Sequence, residues 1–313
     1  MTSFITSRPK LTGVLCAITA GGALLYFGKR RLNQLCPRVS VADLPKSSAC
    51  RKLLEDSEPL SNTAWGMGNS VLLSSWSDAN NKTHWVSSFA ALQSEVPLSM
   101  LANYQSSPNE PDMKDRREDA HPLAQNLLAA FLNGRATGPE GRFLDEDVPP
   151  LSFSPGSHLF GRSTSMGAFL LGSWSSKEEI HVQPSALPSA VPPPVSGFPS
   201  NNDILDKKAD TAGTVMYWMF PCGLVKSIDR AASRGLPWRV MDGGFQEYIV
   251  EKISDDTARI TYVMVESGNL YPGNSDQGAE NFKKLPWLFY ELHELYAQIL
   301  WYKTLRQLGV SGA

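Results

Sequence analysis

The sequence is poor in the residues and spacings that hold metals or disulfides. Only four cysteines occur in 313 residues, and no two of them form a CxxC pair. The five histidines show no HxxxH or HExxH arrangement, so we expect reduced structural thiols and no metal site. An excess of one charge is also lacking, since 29 basic and 31 acidic side chains leave a formal charge of −2. This balance excludes a bulk electrostatic attraction to nucleic acid, which is not expected as a partner.

Local signatures of cofactor chemistry are equally absent from the sequence. The chain contains no phosphate-binding loop, dinucleotide fingerprint, nucleophile elbow or zinc signature. Its glycine clusters, Gly66-Met67-Gly68 and Gly243-Gly244, are isolated and typical of turns or bulges. We therefore expect a protein that works without a cofactor.

One uncharged apolar run, from Leu11 to Phe27, stands near the start of the chain. At about 1.5 Å per residue it would span roughly 26 Å as a helix, which suits a thin bilayer such as the endoplasmic reticulum. Basic residues flank both ends, and the slightly larger excess around Lys29 to Arg31 favours a cytosolic domain. A cleaved signal peptide is the alternative, disfavoured because apolar residues continue past Gly21-Gly22. Residues 1–36 are thus interpreted as tail, single-pass transmembrane anchor and basic flank.

The rest of the chain divides into a linker and one folded domain. Residues 37–60 predict a linker followed by a brief helix, with Ser47 or Ser48 available as its N-cap. Residues 61–309 predict an α+β ligand-binding domain. It is interrupted at 184–199 by a segment whose six prolines exclude a compact sheet, so we expect a loop or internal linker there.

Apolar runs predict the elements of the first part of this domain. A hairpin is expected from two runs separated by a polar turn, and an amphipathic helix and two further strands follow it. The predicted strands are Trp65–Trp76, His84–Leu92, Met166–Trp174 and Thr214–Phe220, and the predicted helix is Pro122–Leu132.

The C-terminal third has the clearest patterns. Phe245–Ile253 and Ala258–Ser267 predict an antiparallel hairpin around Ser254-Asp255-Asp256-Thr257. In the second strand one face carries Ala258, Ile260, Tyr262 and Met264, and the other carries Arg259, Thr261, Val263 and Val265. Leu285–Leu308 predicts a long helix, and Gly309 supplies its stop. The apolar stripe of this helix is wide, which indicates that it covers a sheet, lines a cavity, or contacts a partner or membrane.

These elements suggest an apolar cavity with a few polar groups. The alternative, favoured by residue type alone, is that the same side chains are simply core. His293 lies between apolar neighbours on the helix and is a candidate proton donor or acceptor, although an exposed helix histidine is the commoner case. Glu266 ends a strand beside a Gly-Asn loop, where its carboxylate could bind a substrate, and Glu247 is the third catalytic candidate. The candidate ligand-binding residues are Trp85, Gln93, Trp218, Gln246, Tyr248, Tyr262, Met264, Phe289 and Tyr296.

The order of a sheet-rich body, a terminal hairpin and one long C-terminal helix resembles the helix-grip architecture of START-like ligand-binding proteins. In that architecture a curved antiparallel sheet wraps around the helix and encloses an apolar cavity. The resemblance covers residues 61–308 and rests on no diagnostic motif.

A second resemblance lies in two stretches of sequence, RVSVADLPKSSACRKLL at Arg38–Leu54 and WVSSFAALQSEVPLSML at Trp85–Leu101. They are similar to segments of uncharacterised fungal membrane-anchored proteins encoded beside polyketide or hybrid synthases. The resemblance implies a role in secondary-metabolite biosynthesis, with the protein binding a hydrophobic polyketide-like molecule and steering its cyclisation without a cofactor. It transfers no catalytic residue.

Two alternatives to this cyclase remain. One is a non-catalytic carrier of lipid or sterol that uses the same cavity. The other is a membrane scaffold whose C-terminal helix docks a partner biosynthetic enzyme, which predicts that Leu288, Leu292 and Ile299 lie exposed.

Overall fold

The protein is an α+β structure in which helices cover an antiparallel sheet, as the sequence predicts. The computed structural model describes residues 27–55, 59–61, 64–66, 84–104, 119–137, 167–176, 209–219, 227, 230–231, 234–235, 238–239, 243–269, 283–284 and 287–310. The Pro-rich segment 184–199 and nearly all of the predicted anchor lie outside these residues.

Five long strands form the centre of the sheet. Their order is β3-β8-β7-β5-β4, and every neighbouring pair is antiparallel. Two three-residue strands, β1 and β2, extend the edge at β3. The bounds are β1 Pro59–Ser61, β2 Ala64–Gly66, β3 His84–Pro97, β4 Gly167–Ser175, β5 Thr211–Met219, β7 Gly243–Lys252 and β8 Thr257–Asn269, and a separate parallel pair joins β6 Trp238–Arg239 to β9 Lys283–Lys284.

The helices are α1 at residues 27–35, α2 Ala49–Glu55, α3 Leu98–Ala102, α4 Ala120–Ala136 and α5 Trp287–Gln307. The predicted C-terminal helix is confirmed, and so is its stop. Gly309 has a φ of 81°, which a residue with a side chain rarely adopts. Its N–H donates to the carbonyl of Arg306, and that of Val310 donates to Leu305, so the last carbonyls of the helix are satisfied.

The predicted β7–β8 hairpin is confirmed. Its four-residue connection begins at Ile253, and Tyr248 lies opposite Tyr262 in the register. The predicted alternation also holds. Ile260 and Tyr262 face the core beneath α4 and α5, whereas Val263 faces the core on the other side of the sheet.

Four large rings form the centre of the core between the sheet and α4 and α5. Phe131 from α4 lies with its ring centroid 5.0 Å from that of Tyr248 and 4.8 Å from that of Tyr262. Trp301 from α5 stacks on Tyr262 at 5.9 Å. All four side chains are fully buried. This aromatic layer ties both helices to the two central strands, since aromatic pairs contribute beyond the area they bury.

The other face of the sheet is covered by the chain around α2. The helix begins after Ser48, one of the two predicted N-cap candidates, whose hydroxyl accepts a hydrogen bond of 3.0 Å from the N–H of Arg51. Cys50, Leu53 and Leu54 then pack against residues of β4, β5, β7 and β8. Both faces of the central strands are therefore buried.

Helix α1 lies at the side of α5. Lys29 forms an ion pair with Glu291, and the amide of Gln298 donates to Asn33 at 2.8 Å. Residues 37–39 then pair with the edge of β3, which carries the chain from the face covered by α5 to the face covered by α2. Among the residues that the structure describes, no helix is long and apolar enough to cross a membrane.

Candidate functional site

A row of residues crosses the end of the sheet beneath α5. Trp218 of β5 pairs with Gly244 of β7, which pairs with Glu266 of β8, and Glu266 pairs with Ser88 of β3. Even-numbered neighbours on β7 and β8 face α4 and α5, so the row belongs to the helix-covered face. It lies two rows beyond the aromatic layer.

Gly244 allows the side chain of Trp218 to lie close to the backbone of β7 and β8. A side chain at this position would place its Cβ 2.2 Å from the carbonyl oxygen of Val265, 3.0 Å from Nε1 of Trp218 and 3.1 Å from Cα of Glu266. No real Cβ fits at such distances, so the indole of Trp218 lies directly over the glycine. In the Gly243-Gly244 pair, which is typical of a turn or bulge in the sequence, Gly244 is therefore required for close packing beside the candidate site.

Glu266 and His293 meet at this row, as two of the predicted catalytic residues. Nε2 of His293 lies 2.8 Å from Oε1 of Glu266. The carboxyl is completely buried, whereas the imidazole is 27% exposed. The hydroxyl of Ser88 donates to Oε2 of Glu266. The arrangement places a carboxylate behind an imidazole that reaches solvent, which is a geometry for moving a proton.

Tyr296 stands one turn after His293 on α5, with the two rings edge to face at 6.2 Å. Its hydroxyl is buried and has no hydrogen-bond partner within the described part of the chain. Buried polar groups are nearly always paired, so an unpaired one beside a reactive pair marks a place where a ligand atom can bind.

The next row toward the core is mixed. Gln246 pairs with Met264, and the hydroxyl of Tyr248 donates to the side-chain oxygen of Gln246 at 2.9 Å. Tyr248 and Tyr262 themselves belong to the packed aromatic layer. They lie beneath the site, with Gln246 and Met264 in the row between them and Glu266, and with Trp218 in the same row as Glu266.

Two predicted site residues lie elsewhere. Glu247 follows Gln246 along an extended strand, so it points to the opposite face, where its carboxylate contacts α2. Gln93 is also on that side and donates to the hydroxyl of Thr261 at 3.1 Å. The expectation that these two share a cavity with His293 is therefore corrected. Phe289 is 54% exposed on α5, and the side chain of Trp85 lies outside the described part.

The carboxylate of Glu247 has a structural role. Oε1 accepts from the N–H of Ala49 at 2.8 Å and from the indole of Trp174 at 2.6 Å, and Oε2 accepts from Ser48 and Cys50. Burial raises the pKa of this carboxyl above its ordinary value, and the four donors oppose that rise. Glu247 thus joins the start of α2 to the sheet, because it satisfies helix N–H groups that would otherwise be buried without partners.

Sequence reasoning missed Ser88 and Gly244. The register of the predicted β7–β8 hairpin places Gly244 opposite Glu266, so this contact can be predicted from the sequence of the hairpin. The contact of Ser88 with Glu266 cannot be predicted in this way, because it depends on how β3, which is distant in sequence, aligns with β8.

Within the described residues, no three histidine, cysteine, aspartate or glutamate side chains come together as metal ligands do. Cys36 and Cys50 are free and buried, and burial raises the pKa of the Cys36 thiol to about 12. Neither thiol is suited to act as a nucleophile near neutral pH.

No family model, no curated protein and no solved structure matches the chain.

Proposed function

We propose that the protein binds a hydrophobic, carbonyl-rich molecule of the polyketide type and steers its cyclisation at Glu266 and His293. The observation that carries the proposal is the contact between the buried carboxyl of Glu266 and the partly exposed imidazole of His293. Burying a carboxylate that has no role would cost free energy of folding. A buried carboxylate that orients an imidazole supports proton transfer.

The chemistry needs no cofactor. The imidazole of His293 takes a proton from a carbon next to one carbonyl, and the resulting enolate carbon attacks a second carbonyl of the same molecule. A carbon–carbon bond forms, the electron pair of that carbonyl moves to its oxygen, and the imidazolium returns the proton there. The product is an isomer of the substrate, so no oxidant or other reactant is consumed.

Tyr296 and the shape of the site assist this reaction. The unpaired hydroxyl of Tyr296 donates a hydrogen bond to the oxygen on which charge develops. Trp218 and Met264, which lie on the same face of the sheet as Glu266, hold the substrate in a folded conformation. Fixing a flexible substrate in a reactive geometry is worth on the order of several kcal/mol by itself.

The finer features of the architecture belong to the same proposal. The antiparallel sheet and the C-terminal helix α5 support the proposal of a START-like helix-grip arrangement. The apolar run ending at Phe27 is proposed as a single-pass anchor in the endoplasmic reticulum membrane, with the domain on the cytosolic side. A hydrophobic substrate favours such a location, because it concentrates in membranes.

The test starts from the full chain, extracted gently from its membranes and examined by native mass spectrometry for a bound small molecule. The ligand then serves as substrate for the wild type, Glu266→Gln, His293→Phe and Tyr296→Phe. Both variants of the pair are expected to slow ring closure by roughly 100-fold or more, as loss of an acid–base group usually does. Glu251→Gln, which alters a surface carboxyl paired with Arg259, is the matched control and should have no effect.

Unchanged ring closure in Glu266→Gln and His293→Phe would overturn the proposed chemistry. Binding of an ordinary membrane lipid or sterol, with no product from any candidate substrate, would instead identify a carrier.

The scaffold alternative also has one observation in its favour. Leu288, Leu292 and Ile299 are 52%, 55% and 39% exposed, as that alternative predicts. The exposure shows that α5 has a surface available for contact.

A further inference from the structure

Exposed large apolar side chains gather at one end of α5. Six are found among the described residues, and Phe27, Leu288, Phe289 and Leu292 are four of them, each more than half exposed. Leu288, Phe289 and Leu292 occupy the first two turns of α5. Phe27 begins α1, two residues before the Lys29 that forms the ion pair with Glu291 of α5. The ion pair places the start of α1 next to the N-terminal part of α5.

Basic residues border this apolar group. Arg30 and Arg31 are exposed on α1, and Lys29 stands between them and α5. Because Lys29 is paired with Glu291, Arg30 and Arg31 supply the positive charge here. Apolar side chains next to exposed arginines are typical of surfaces that lie in the interface of an anionic bilayer.

The position in the chain indicates the same partner. The uncharged run from Leu11 leads directly into Phe27. If that run is the membrane anchor, α1 begins at the surface of the bilayer. The N-terminal part of α5 must then also lie close to the bilayer, because Lys29 of α1 is paired with Glu291 of α5.

The apolar group also adjoins the candidate site. Leu292 immediately precedes His293, and Phe289 lies one turn before it on the same side of the helix. A ligand leaving the acyl chains would therefore meet Phe289 before it meets the imidazole.

We propose that Phe27, Leu288, Phe289 and Leu292, with Arg30 and Arg31, form a membrane-contact surface. This surface lies in the anionic interface of the bilayer and admits the hydrophobic substrate laterally to Glu266 and His293. The inference rests on the proposed anchor and deepens the proposed function by naming the source of its substrate.

The experiment measures the depth of single sites in the full chain. Cys16 and Cys222 are replaced by serine, the buried Cys36 and Cys50 are kept, and bimane is attached at Leu292→Cys. The matched control is Ile253→Cys, because Ile253 is 45% exposed but lies at the β7–β8 turn, the opposite end of β8 from Glu266. Both proteins are placed in phosphatidylcholine–phosphatidylserine vesicles whose acyl chains carry bromine, a quencher of bimane.

Quenching at least about threefold stronger at residue 292 than at residue 253 is expected, because interfacial side chains lie among the acyl chains. Replacing Arg30 and Arg31 by glutamate should weaken it in these vesicles and leave residue 253 unchanged. Equal or weaker quenching at residue 292 would overturn the proposal. Cross-linking of Leu292→Cys between two copies, without quenching, would assign the surface to a second copy instead.

Failure of the surface is distinguishable from failure of the proposed function. Extraction with alkaline carbonate tests the anchor alone, and the ring-closure assay in detergent tests Glu266 and His293 alone. A chain that resists carbonate but shows no quenching at residue 292 would refute only the membrane-contact surface.

Discussion

The imidazole of His293 lies against the completely buried carboxyl of Glu266, with Nε2 and Oε1 2.8 Å apart. The contact joins the end of β8 to the second turn of α5. Besides Ser88, which binds Oε2, His293 is the polar side chain that reaches this carboxyl within the described residues. The pair therefore positions the long helix over the sheet as well as forming the candidate site.

Replacing His293 by phenylalanine should destabilise the fold, because the buried Oε1 of Glu266, which accepts no hydrogen bond from the described residues, would lose its close contact with Nε2 of His293. We expect a decrease of about 1–3 kcal/mol in the free energy of unfolding at neutral pH. A smaller cost is expected for His293→Phe in a chain that already carries Glu266→Gln. Urea unfolding of the two single variants and the double variant gives the coupling energy between the residues.

Strict additivity of the two substitutions would contradict this interaction. Glu251→Gln combined with His293→Phe provides the control, since Glu251 lies on the other face and should add independently.

Gly244 is expected to tolerate no side chain. Alanine there would bring its Cβ to 2.2 Å from the carbonyl oxygen of Val265, so β7 or β8 must shift beside Glu266. We expect Gly244→Ala to cost more than about 2 kcal/mol of stability and to slow ring closure, as strain at close-packed positions does.

The matched control for this substitution is Gly134→Ala. Gly134 is in the interior of α4, and the nearest atoms to its Cβ would be 3.4 Å away in α5. Helix propensity favours alanine there by about 1 kcal/mol, so thermal unfolding should shift little or upward. A melting temperature for Gly244→Ala at or above that of the wild type would refute the packing argument.

The sequence predicts the C-terminal elements well because their patterns are local. The alternation along β8 and the stop at Gly309 need no knowledge of the rest of the chain. The sequence does not predict in this way which residues of β7 point to which face of the sheet. Every residue from Gly243 to Val250 is buried, so polarity does not distinguish its two faces. Gln246 and Glu247 are adjacent on an extended strand and therefore point to opposite faces, which the prediction of one shared cavity does not take into account.

The aromatic layer should contribute more to stability than the exposed stripe of α5. Trp301 is fully buried, stacks on Tyr262 and donates to the hydroxyl of Ser94 at 3.1 Å. Trp301→Ala is expected to cost about 3–5 kcal/mol, as large-to-small changes in cores do. Leu288→Ala, on the exposed side of the same helix, should change stability by less than about 0.5 kcal/mol. Chemical denaturation compares the two, and similar costs would show that Leu288 is covered.

Glu247 should make stability depend on pH in a direction that identifies its buried carboxyl. Its pKa in the folded protein is raised by burial, whereas in the unfolded chain the carboxyl titrates at its ordinary value. The folded state therefore holds the proton more tightly. The stabilisation linked to this proton is complete below the unfolded pKa and is lost as the pH rises through the folded pKa.

The variant Glu247→Gln has no such titration and serves as the reference. It should be less stable than the wild type by on the order of 2 kcal/mol at pH 4, because the amide NH2 group would face hydrogen-bond donors at a position where the carboxyl has its second oxygen. The difference should shrink as the pH is raised toward 8. Urea unfolding of both proteins across this range measures it. A difference that grows with pH would mean that the four donors outweigh burial and that Glu247 stabilises α2 as an ionised carboxylate.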